Sequence, residues 1–491
     1  MADVVIFADG PRRSLGAYRI ASEVRKAGFS CQVISFIKYF QPAEIQQVCA
    51  KFIDNNTKMV GFSTTFWYDD AISYSFLQDS IRQINPNVKV VLGGPNAKRL
   101  AATTRHKIDA ILSGQGESNV LKYLQHITSN VPFIEPTEIF RDNIPLYEST
   151  LVADDWQVND SQTIYTKEDC ISWGEPVVLE VARGCIFSCS FCAYPLNGKK
   201  KLDHIKYTET LREELIRNYT DHGLHHYIIS DDTFNDSLEK LYILREVFAS
   251  LPFKLTFSSY ARLDLLNAHR EEIELLEEMG MVGVNFGVET FHDKAAKTIG
   301  KGVVGKIAKD LLYDLKTKHW GNRIKIAIGL IQGLPYETLE SHAETRAWIL
   351  DEENNHLESV QPHALSVPNP LKDPFPYKSE FQLNASKYGF YWPSSTNAGM
   401  WKNMNGPVKS YKEAYDLYRL AKEATRITYR ENQGGFGISV ANHIGQFAND
   451  PKTLSDFIAM DRREFTLWTD ANKKSGFMNF MSWYKKEIFS L

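Results

Sequence analysis

The chain has 491 residues and a formal net charge of −4, with 43% hydrophobic and 24% charged residues. This length predicts two or three domains, and the proportions are those of a globular protein rather than a disordered or fibrous one. The acidic balance gives no clear nucleic-acid signal, and the six cysteines are too few for a disulfide scaffold. The sequence shows no signal peptide and no apolar stretch near the roughly 20 residues of a membrane helix. We therefore expect a cytoplasmic protein with no membrane partner.

Residues 1–130 alternate short apolar runs with amphipathic segments. Five strands are predicted here, at DVVIFADG, CQVISFI, MVGFSTT, VKVVLGG and IDAILSG. Helices are predicted between them at 14–26, 42–53 and 71–84, and a further helix starts at 117. Strand–helix alternation with short connections indicates an α/β domain built on a Rossmann-like, doubly wound parallel sheet.

The remainder of the chain divides into three segments. Scattered prolines and the lack of a period make 131–174 a predicted linker. Six strand–helix repeats follow over 175–375 and predict a partial (β/α)6, TIM-like barrel, whose sites gather at the C-terminal strand ends. Residues 376–491 have a mainly helical pattern rich in aromatic side chains, which either form core or cap the mouth of the barrel.

Three of the six cysteines, Cys185, Cys189 and Cys192, follow the first predicted barrel strand with the spacing CxxxCxxC. Thiolates this close repel one another unless a cation neutralises them, so the spacing indicates a metal centre. Structural zinc normally takes four protein ligands, and the nearest candidates for a fourth, Cys170 and His204, lie outside the motif. An iron–sulfur cluster held by three cysteines leaves one iron open, and we favour it over zinc. The other cysteines are predicted to be inert: Cys31, Cys49 and Cys170.

The stretch EVARGCIFSCSFCAYP, with the aromatic Phe191 before the third cysteine, resembles the signature of radical S-adenosylmethionine (SAM) enzymes. It is similar to the form found in members with an N-terminal cobalamin-binding domain. The resemblance implies a 4Fe–4S cluster on the three cysteines, with SAM on the open iron. One electron would cleave SAM to methionine and a 5′-deoxyadenosyl radical, which abstracts hydrogen from an unactivated carbon, while the protein positions the partners and excludes water.

The resemblance also implies SAM-binding residues near the ends of the barrel strands. Phe191 belongs to the signature itself. Asp231 and Asp232, after the second strand, correspond to polar or acidic groups that hold the SAM ammonium, although either could instead cap the following helix. Ser259 and Arg262, after the third strand, resemble residues that contact SAM, and the arginine suits its carboxylate.

Two of these candidates have specific alternatives. Arg262 could form an ion pair with Asp264. Glu289, in the sequence GVE, resembles a family glutamate that faces the SAM ribose, but it could pair with Lys294 or Lys297. IQGLPYETLES resembles the family's GLPxET turn, which we interpret as architecture near the adenine. Three histidines on or beside strands are interpreted as packed polar residues: His225, His226 and His363.

Three loops at the carboxyl ends of the first sheet resemble the cobalamin-binding domain of this subclass. The histidine-ligating pattern DxHxxG is absent, because ADGPRRSLG carries Asp9 but no histidine, and the family's GGPH is GGPN here, with Asn96. The alternative is a sheet that keeps the shape and binds nothing. The residues implied for cobalamin are Ser63, Thr64, Gly93, Gly94, Gln115, Gly116 and Glu117.

Together these features predict a cobalamin-type radical SAM enzyme that methylates an unactivated carbon. They do not single out a catalytic acid, base or radical relay. The expected partners are a small-molecule or peptide substrate and an electron donor such as flavodoxin or ferredoxin. Two alternatives stay open: a radical SAM enzyme for cyclisation, rearrangement or oxidation without methyl transfer, and a non-catalytic corrin-binding sensor with a structural cluster. A zinc-dependent nucleic-acid binder is disfavoured by the missing fourth ligand and the acidic charge.

Overall fold

A computed structural model describes residues 1–65, 71–129, 131, 132, 134–140, 143–149, 158–194, 205–303, 305–373, 377–394, 400–431 and 434–491. The chain folds into two compact units. The first comprises Met1–Trp173, Arg217–Gly223 and Met481–Leu491, and the second comprises Gly174–Ile216 and Leu224–Phe480. Within the described part, no helix combines the length and the apolar character needed to cross a bilayer.

The first unit is built on one sheet. Its strands are β1 (Val4–Ala8), β2 (Cys31–Ile34), β3 (Met59–Ser63), β4 (Lys89–Gly93), β5 (Ala110–Gly114), β6 (Glu138–Phe140) and β7 (Ile144–Ser149). Its helices are α1 (Leu15–Lys26), α2 (Pro42–Phe52), α3 (Ala71–Ile84), α4 (Ala97–Thr103) and α5 (Gly116–Ser129). The strand order is β2–β1–β3–β4–β5–β7–β6, and the first five strands are parallel. The predicted α/β domain with a parallel sheet is confirmed.

Local sequence explains these elements. Every residue of β1 is buried, which requires the continuous apolar run that the sequence shows. α2 begins with Pro42 at its first turn and with a capping box between Gln41 and Glu44. Each of these signals can be read within a few residues, which is why strands β1 to β5 and helices α1, α2, α3 and α5 follow from the sequence. The sequence did not predict the short helix α4.

The stretch 131–174, for which the sequence predicts a linker, contributes two strands to this sheet. β7 pairs in parallel with β5, and β6 pairs antiparallel with β7 at the sheet edge. β7 carries Pro145, which donates no hydrogen bond and interrupts any alternating pattern. β6 has only three residues. Strands this short or this interrupted give no readable period, so the sequence pattern missed them.

The second unit contains the repeats of the predicted barrel. Its strands are β8 (Val177–Leu179), β9 (His226–Ile229), β10 (Thr256–Ala261), β11 (Met281–Glu289), β12 (Lys325–Gln332) and β13 (Ser359–Ala364). Helices in this part of the chain are α6 (Thr208–His222), α7 (Leu238–Ala249), α8 (Leu263–Ala268), α9 (Glu272–Glu278), α10 (Asp293–Thr298), α11 (Gly305–Asp314) and α12 (Leu339–Leu350). All neighbouring strands are parallel and follow chain order without closing, so the six-stranded partial barrel is confirmed.

The C-terminal region is mainly helical, as predicted. It contains the short pair β14 (Phe390–Tyr391) and β15 (Lys402–Asn403), and the helices α13 (Glu380–Leu383), α14 (Tyr411–Ile427), α15 (Gly434–Phe447), α16 (Leu454–Ala459) and α17 (Arg462–Ser490). An aromatic cluster around Phe381, Phe390 and Trp401 forms part of its core. Part of this region therefore packs as core, as one of the two interpretations of its aromatic residues requires.

Helix α15 packs against the barrel strands. The hydroxyl of Ser439 lies 3.0 Å from Nε2 of His226 and 2.8 Å from Oγ of Ser258. The ring of Phe436 lies 4.5 Å from that of Tyr260, centroid to centroid. Burial lowers the pKa of His226 to about 3, so this histidine is a neutral hydrogen-bonding group. Because Tyr260 also faces the cavity described below, α15 fills the strands' inner side beneath that cavity.

Candidate active site

A cavity of about 300 Å³ lies at the carboxyl ends of the barrel strands. All three cysteines of the CxxxCxxC motif line it, together with Phe187 and Phe191 from the same loop. Further lining residues lie on β10, β11, β12 and β13 and in the segments that follow β9, β10 and α10. The cavity thus joins the cysteine loop to five of the six strands.

The cysteine loop is held in place by hydrogen bonds on both sides. The Cys192 N–H donates to the Cys189 carbonyl at 2.9 Å, which closes a turn between the two cysteines. Ser190 donates from its N–H and from its hydroxyl to the backbone at the end of α10, at 3.3 and 3.0 Å. The Cys185 sulfur lies 3.3 Å from the Thr233 hydroxyl. These contacts hold the backbone of the loop and the sulfur of Cys185 in place.

The donor set fits an iron–sulfur cluster. Burial raises the pKa of the Cys185 thiol, so its thiolate needs a nearby positive charge. Among the described residues, no three cysteine, histidine or acidic side chains converge on one point that could hold a single ion. A cluster does not require such convergence, because each thiolate binds a different iron. His204, considered above as a zinc ligand, lies outside the described residues.

The two aspartates after β9 have different surroundings. Asp231 is buried, pairs with Lys240 at 2.8 Å and accepts from the Ala182 N–H at 3.0 Å. Asp232 lines the cavity and interacts with the Tyr194 hydroxyl, whose pKa is raised by burial and by this carboxylate. Neither aspartate caps α7, because Ser237 does so. Asp232 is therefore the one placed to meet a ligand.

The two candidates after β10 also differ. Ser259 is fully buried, and its hydroxyl donates to backbone carbonyls. Arg262 lines the cavity, but its guanidinium pairs with Asp264 at 2.6 Å and lies 3.4 Å from the Cys189 sulfur. The ion pair with Asp264, the alternative raised by the sequence, is present. The predicted contact of Ser259 and Arg262 with SAM stays a prediction.

Glu289 ends β11 inside the cavity, in a left-handed backbone conformation with φ +69°. Its carboxylate lies 3.5 Å from the ammonium of Lys301, and both side chains are largely buried. The sequence had suggested Lys294 or Lys297 as the alternative partner. Glu289 is thus held at the cavity wall by Lys301, where a carboxylate can accept from ribose hydroxyls.

Several cavity residues were missed by the sequence reasoning. Asn285, Gln361 and His363 could have been found from the alternation of β11 and β13, since every second residue faces the same side of a strand. His363, interpreted as a packed polar residue, instead lines the cavity and is exposed. That interpretation was wrong because the residue sits at the strand end. The lining residues missed are Phe187, Tyr194, Thr233, Tyr260, Ala261, Asn285, Gly287, Lys301, Gly329, Gln361 and His363.

Glu289→Gln is expected to weaken SAM binding roughly tenfold, because a neutral amide forms a weaker hydrogen bond with a ribose hydroxyl than a carboxylate does. Gly287→Ala is the matched variant. A Cβ at Gly287 would lie 2.6 Å from Oε1 of Glu289, so it displaces that flexible carboxylate rather than the backbone. Equilibrium dialysis with labelled SAM measures both, and an affinity within threefold of wild type in either variant contradicts the ribose role.

A buried polar network lies in the GLPxET turn after β12. Glu337 accepts from the Thr290 hydroxyl at 2.6 Å and from the Gly333 and Leu334 N–H groups at 3.2 and 3.0 Å. Burial raises the pKa of Glu337 to about 7. His342 lies 3.3 Å away, but burial lowers its pKa to about 4, so it is a neutral neighbour. The turn is an architectural element with one titratable carboxyl.

Glu337→Gln is expected to change how stability depends on pH. Because the folded-state pKa is raised to about 7 from the ordinary 4.5, the wild type binds the proton more tightly when folded. Its free energy of unfolding therefore falls as pH rises through this window, by roughly 2 to 3 kcal/mol between pH 5 and 8. The variant lacks this contribution. Thermal unfolding of both chains across the range measures it, and parallel pH profiles would refute it.

In the first unit, the residues predicted for cobalamin lie at the carboxyl ends of the parallel strands, which we call the carboxyl edge of the sheet. Parallel pairing places Ser63 beside Gly93, and Gly93 beside Leu112. Gly94 has φ +94°, and a Cβ there would lie 3.2 Å from the Thr64 hydroxyl oxygen. These small residues have side chains that occupy little space at the strand ends. Gln115 and Glu117 are buried at the start of α5.

Asp9 ends the strand region of β1 at the same edge. It is 4% exposed, and its Oδ1 is buried without a hydrogen-bond partner among the described residues. Its Oδ2 lies 3.5 Å from the Lys38 ammonium. A buried carboxylate oxygen without a donor marks a place where a bound ligand or water completes the hydrogen bonding. The edge therefore fits a cofactor that brings donors to it, as cobalamin does with its amide side chains.

Comparison with known proteins gives a consistent picture. Residues 179–346 match the family model described as the radical SAM superfamily. A protein of Pyrococcus horikoshii named "Uncharacterized methyltransferase PH0819" is 25% identical over 359 residues, which are 68% of this chain and 72% of that one. The anaerobic magnesium-protoporphyrin IX monomethyl ester cyclase of Cereibacter sphaeroides is 22% identical over 369 residues, 68% of this chain and 56% of that one.

Two solved structures share the fold. The radical SAM methyltransferase TsrM from Kitasatospora setae, with cobalamin and a [4Fe-4S] cluster bound, superposes with a TM-score of 0.57 at 15% identity, covering 81% of this chain and 82% of that one. The cobalamin-dependent SAM radical enzyme OxsB, with aqua-cobalamin and SAM bound, gives a TM-score of 0.60 at 13% identity, covering 94% and 72%. At such identities these matches show the architecture of the chain.

Proposed function

We propose that this chain, which belongs to the radical SAM superfamily through residues 179–346, is a cobalamin-dependent methyltransferase acting on an unactivated carbon. The observation that carries the proposal is the cavity in which the three cysteines face Glu289 and Lys301. A radical SAM domain implies a 4Fe–4S cluster and SAM as cofactors. The cobalamin and the methyl transfer are the finer part of the proposal.

Different residues of the chain would bind the cluster and the separate groups of SAM. Cys185, Cys189 and Cys192 would hold the cluster, which when bound supplies the electron that cleaves SAM to a 5′-deoxyadenosyl radical. Asp232 offers a carboxylate to the SAM ammonium. Glu289 accepts from the ribose hydroxyls, fixed by its lysine partner. The aromatic side chains of the cysteine loop exclude water from the reacting centre.

Two observations support methyl transfer with cobalamin. The P. horikoshii relative is named a methyltransferase, and TsrM and OxsB, which share the fold over 81% and 94% of this chain, are described as binding cobalamin. In this chain the first unit presents small residues along the carboxyl edge of the sheet, with the buried oxygen of Asp9 beside them. Bound cobalamin would supply a carrier for the methyl group of SAM. No histidine ligand comes from the loop after β1.

The cyclase relative supports a second candidate. At 22% identity over 68% of this chain, it is named for ring closure rather than methyl transfer. The same cavity could generate a substrate radical that cyclises, rearranges or is oxidised. Either reaction would need a small-molecule or peptide substrate and a one-electron donor such as flavodoxin or ferredoxin.

Anaerobic reconstitution with iron and sulfide, followed by optical spectra and product analysis, tests the proposal. We expect about four irons per chain, stoichiometric hydroxocobalamin binding, and 5′-deoxyadenosine from SAM and dithionite. With S-adenosyl-[methyl-14C]methionine, label should enter the corrin fraction. Deoxyadenosine without label in the corrin would favour the second candidate. A chain that binds corrin and cluster but forms no deoxyadenosine would be a sensor instead.

A further inference from the structure

Arg262 lies between β10 and α8 with its guanidinium almost fully engaged. It is 5% exposed. Its Nε and Nη2 donate to the two oxygens of Asp264 at 2.9 and 2.6 Å, and Nη2 also donates to the Gly300 carbonyl at 2.9 Å. Its Nη1 lies 3.4 Å from the Cys189 sulfur. Four of the five N–H groups of this side chain therefore have partners within the protein.

The surroundings fix this geometry from several directions. The Arg262 N–H donates to Oδ1 of Asn235 at 2.8 Å, and Nδ2 of Asn235 donates back to the Arg262 carbonyl at 3.0 Å. Asn235 is fully buried. The Gly302 N–H donates to Asp264 at 3.0 Å, and the guanidinium carbon lies 3.8 Å from the centre of the Phe187 ring. A side chain clamped in this way has little freedom to turn toward a ligand.

From these contacts we infer that Arg262 is a positioning residue for the cluster rather than a ligand of the SAM carboxylate. It donates an N–H group to the Cys189 thiolate and keeps a positive charge beside the cluster. The inference rests on the proposed function, since it takes the three cysteines as cluster ligands. Hydrogen bonds to the sulfurs and nearby charge are among the factors that set the reduction potential of such clusters. Arg262 should therefore make the cluster easier to reduce.

A measurement of the cluster's reduction potential distinguishes this role of Arg262 from a merely structural one. In Arg262→Gln, the ratio of reduced to oxidised cluster at the wild-type midpoint potential should fall about tenfold, which is about 59 mV for a one-electron couple. The affinity for SAM should change less than threefold. An EPR-monitored redox titration of the reconstituted chain and equilibrium dialysis with labelled SAM give the two numbers. Arg245→Gln, at an exposed arginine on α7, is the matched control and should change neither.

Two results would overturn the inference. One is a reduced-to-oxidised ratio in Arg262→Gln within threefold of wild type. The other is a tenfold or larger loss of SAM affinity, which would assign the arginine to the SAM carboxylate. If that variant fails to take up iron, Arg262→Lys is measured by the same criteria. This variant keeps the positive charge but loses the bidentate contact with Asp264. Its ratio of reduced to oxidised cluster should fall at least threefold.

The outcome is separable from that of the proposed function. A wild-type chain that holds a reducible cluster but transfers no methyl group would refute methyl transfer and leave the Arg262 measurement valid. A wild-type chain that holds no cluster would refute both. An unchanged potential in a fully active methyltransferase would refute only the inference about Arg262.

Discussion

Cys189→Ala is expected to lose the bound cluster and to lower the formation of 5′-deoxyadenosine by about a thousandfold or more, because two thiolates do not hold a cluster that takes three. Cys189 is also the cysteine whose sulfur lies 3.4 Å from Nη1 of Arg262. Replacing it removes one proposed cluster ligand and leaves that cation without its sulfur partner. Iron content per chain after anaerobic reconstitution and chromatography of the products of SAM and dithionite give the two measurements.

Cys49→Ala provides the matched control for this experiment. Cys49 lies on α2 in the first unit and is fully buried, and burial raises its pKa to about 12, so it offers no thiolate. This variant should keep the wild-type iron content and the wild-type rate of SAM cleavage. Iron at the wild-type level in Cys189→Ala would contradict the assignment of the cluster ligands, and with it the proposed function.

Most of the fold could be predicted because its signals are local. Helix α7 (Leu238–Ala249) shows this, since Ser237 caps its first turn and a strand precedes it. Strands such as β1 (VVIFA) and β8 (VVL) are continuous apolar runs. The exceptions are β6 and β7, where three residues and a proline-containing segment join a sheet for reasons that lie in their neighbours.

The candidate site could be predicted only where it depends on spacing. CxxxCxxC brings three cysteines within eight residues, whatever surrounds them. By contrast, Asp231 and Asp232 are adjacent and equivalent in sequence, yet one pairs with Lys240 inside the unit and the other faces the cavity. Which of two neighbouring residues turns inward depends on the residue at which the strand ends. A sequence pattern does not predict the end of a strand to within one residue.

Ion pairs and hydrogen bonds between residues that loops bring together could not be predicted from the sequence either. Glu289 meets Lys301 rather than Lys294 or Lys297, because α10 and the loop after it lead the chain back to the cavity. Arg262 meets Cys189 across 73 residues. Such contacts follow from the closure of the fold, and no spacing in the sequence encodes them.

The C-terminal region gives the largest difference between pattern and structure. Its helical pattern, rich in aromatic side chains, predicted helices but did not show which surface they would cover. The structure shows α15 against the inner side of the barrel strands, with Phe436 on Tyr260 and Ser439 on His226. The close approach depends on Gly434, at the first residue of the helix, beside Ala327 of β12.

Gly434→Ala is expected to lower the free energy of unfolding by about 3 kcal/mol and the melting temperature by roughly 5 °C or more. The added Cβ would lie 2.7 Å from the Ala327 Cβ and 2.9 Å from its backbone nitrogen. These atoms belong to a central strand and do not move aside. The backbone at Gly434 also has φ +37°, a conformation that residues with a Cβ rarely adopt. Thermal unfolding of the chain without cofactors, followed by circular dichroism, measures the loss.

Gly16→Ala is the control, because an added Cβ at Gly16 in helix α1 meets nothing within 4 Å. Alanine favours a helix over glycine by up to about 1 kcal/mol, so this variant should be as stable as the wild type or slightly more stable. If Gly434→Ala matches it, α15 is held loosely and does not form the packed inner side of the barrel. A loss confined to Gly434→Ala would show that the close packing of α15 against β12 stabilises the chain.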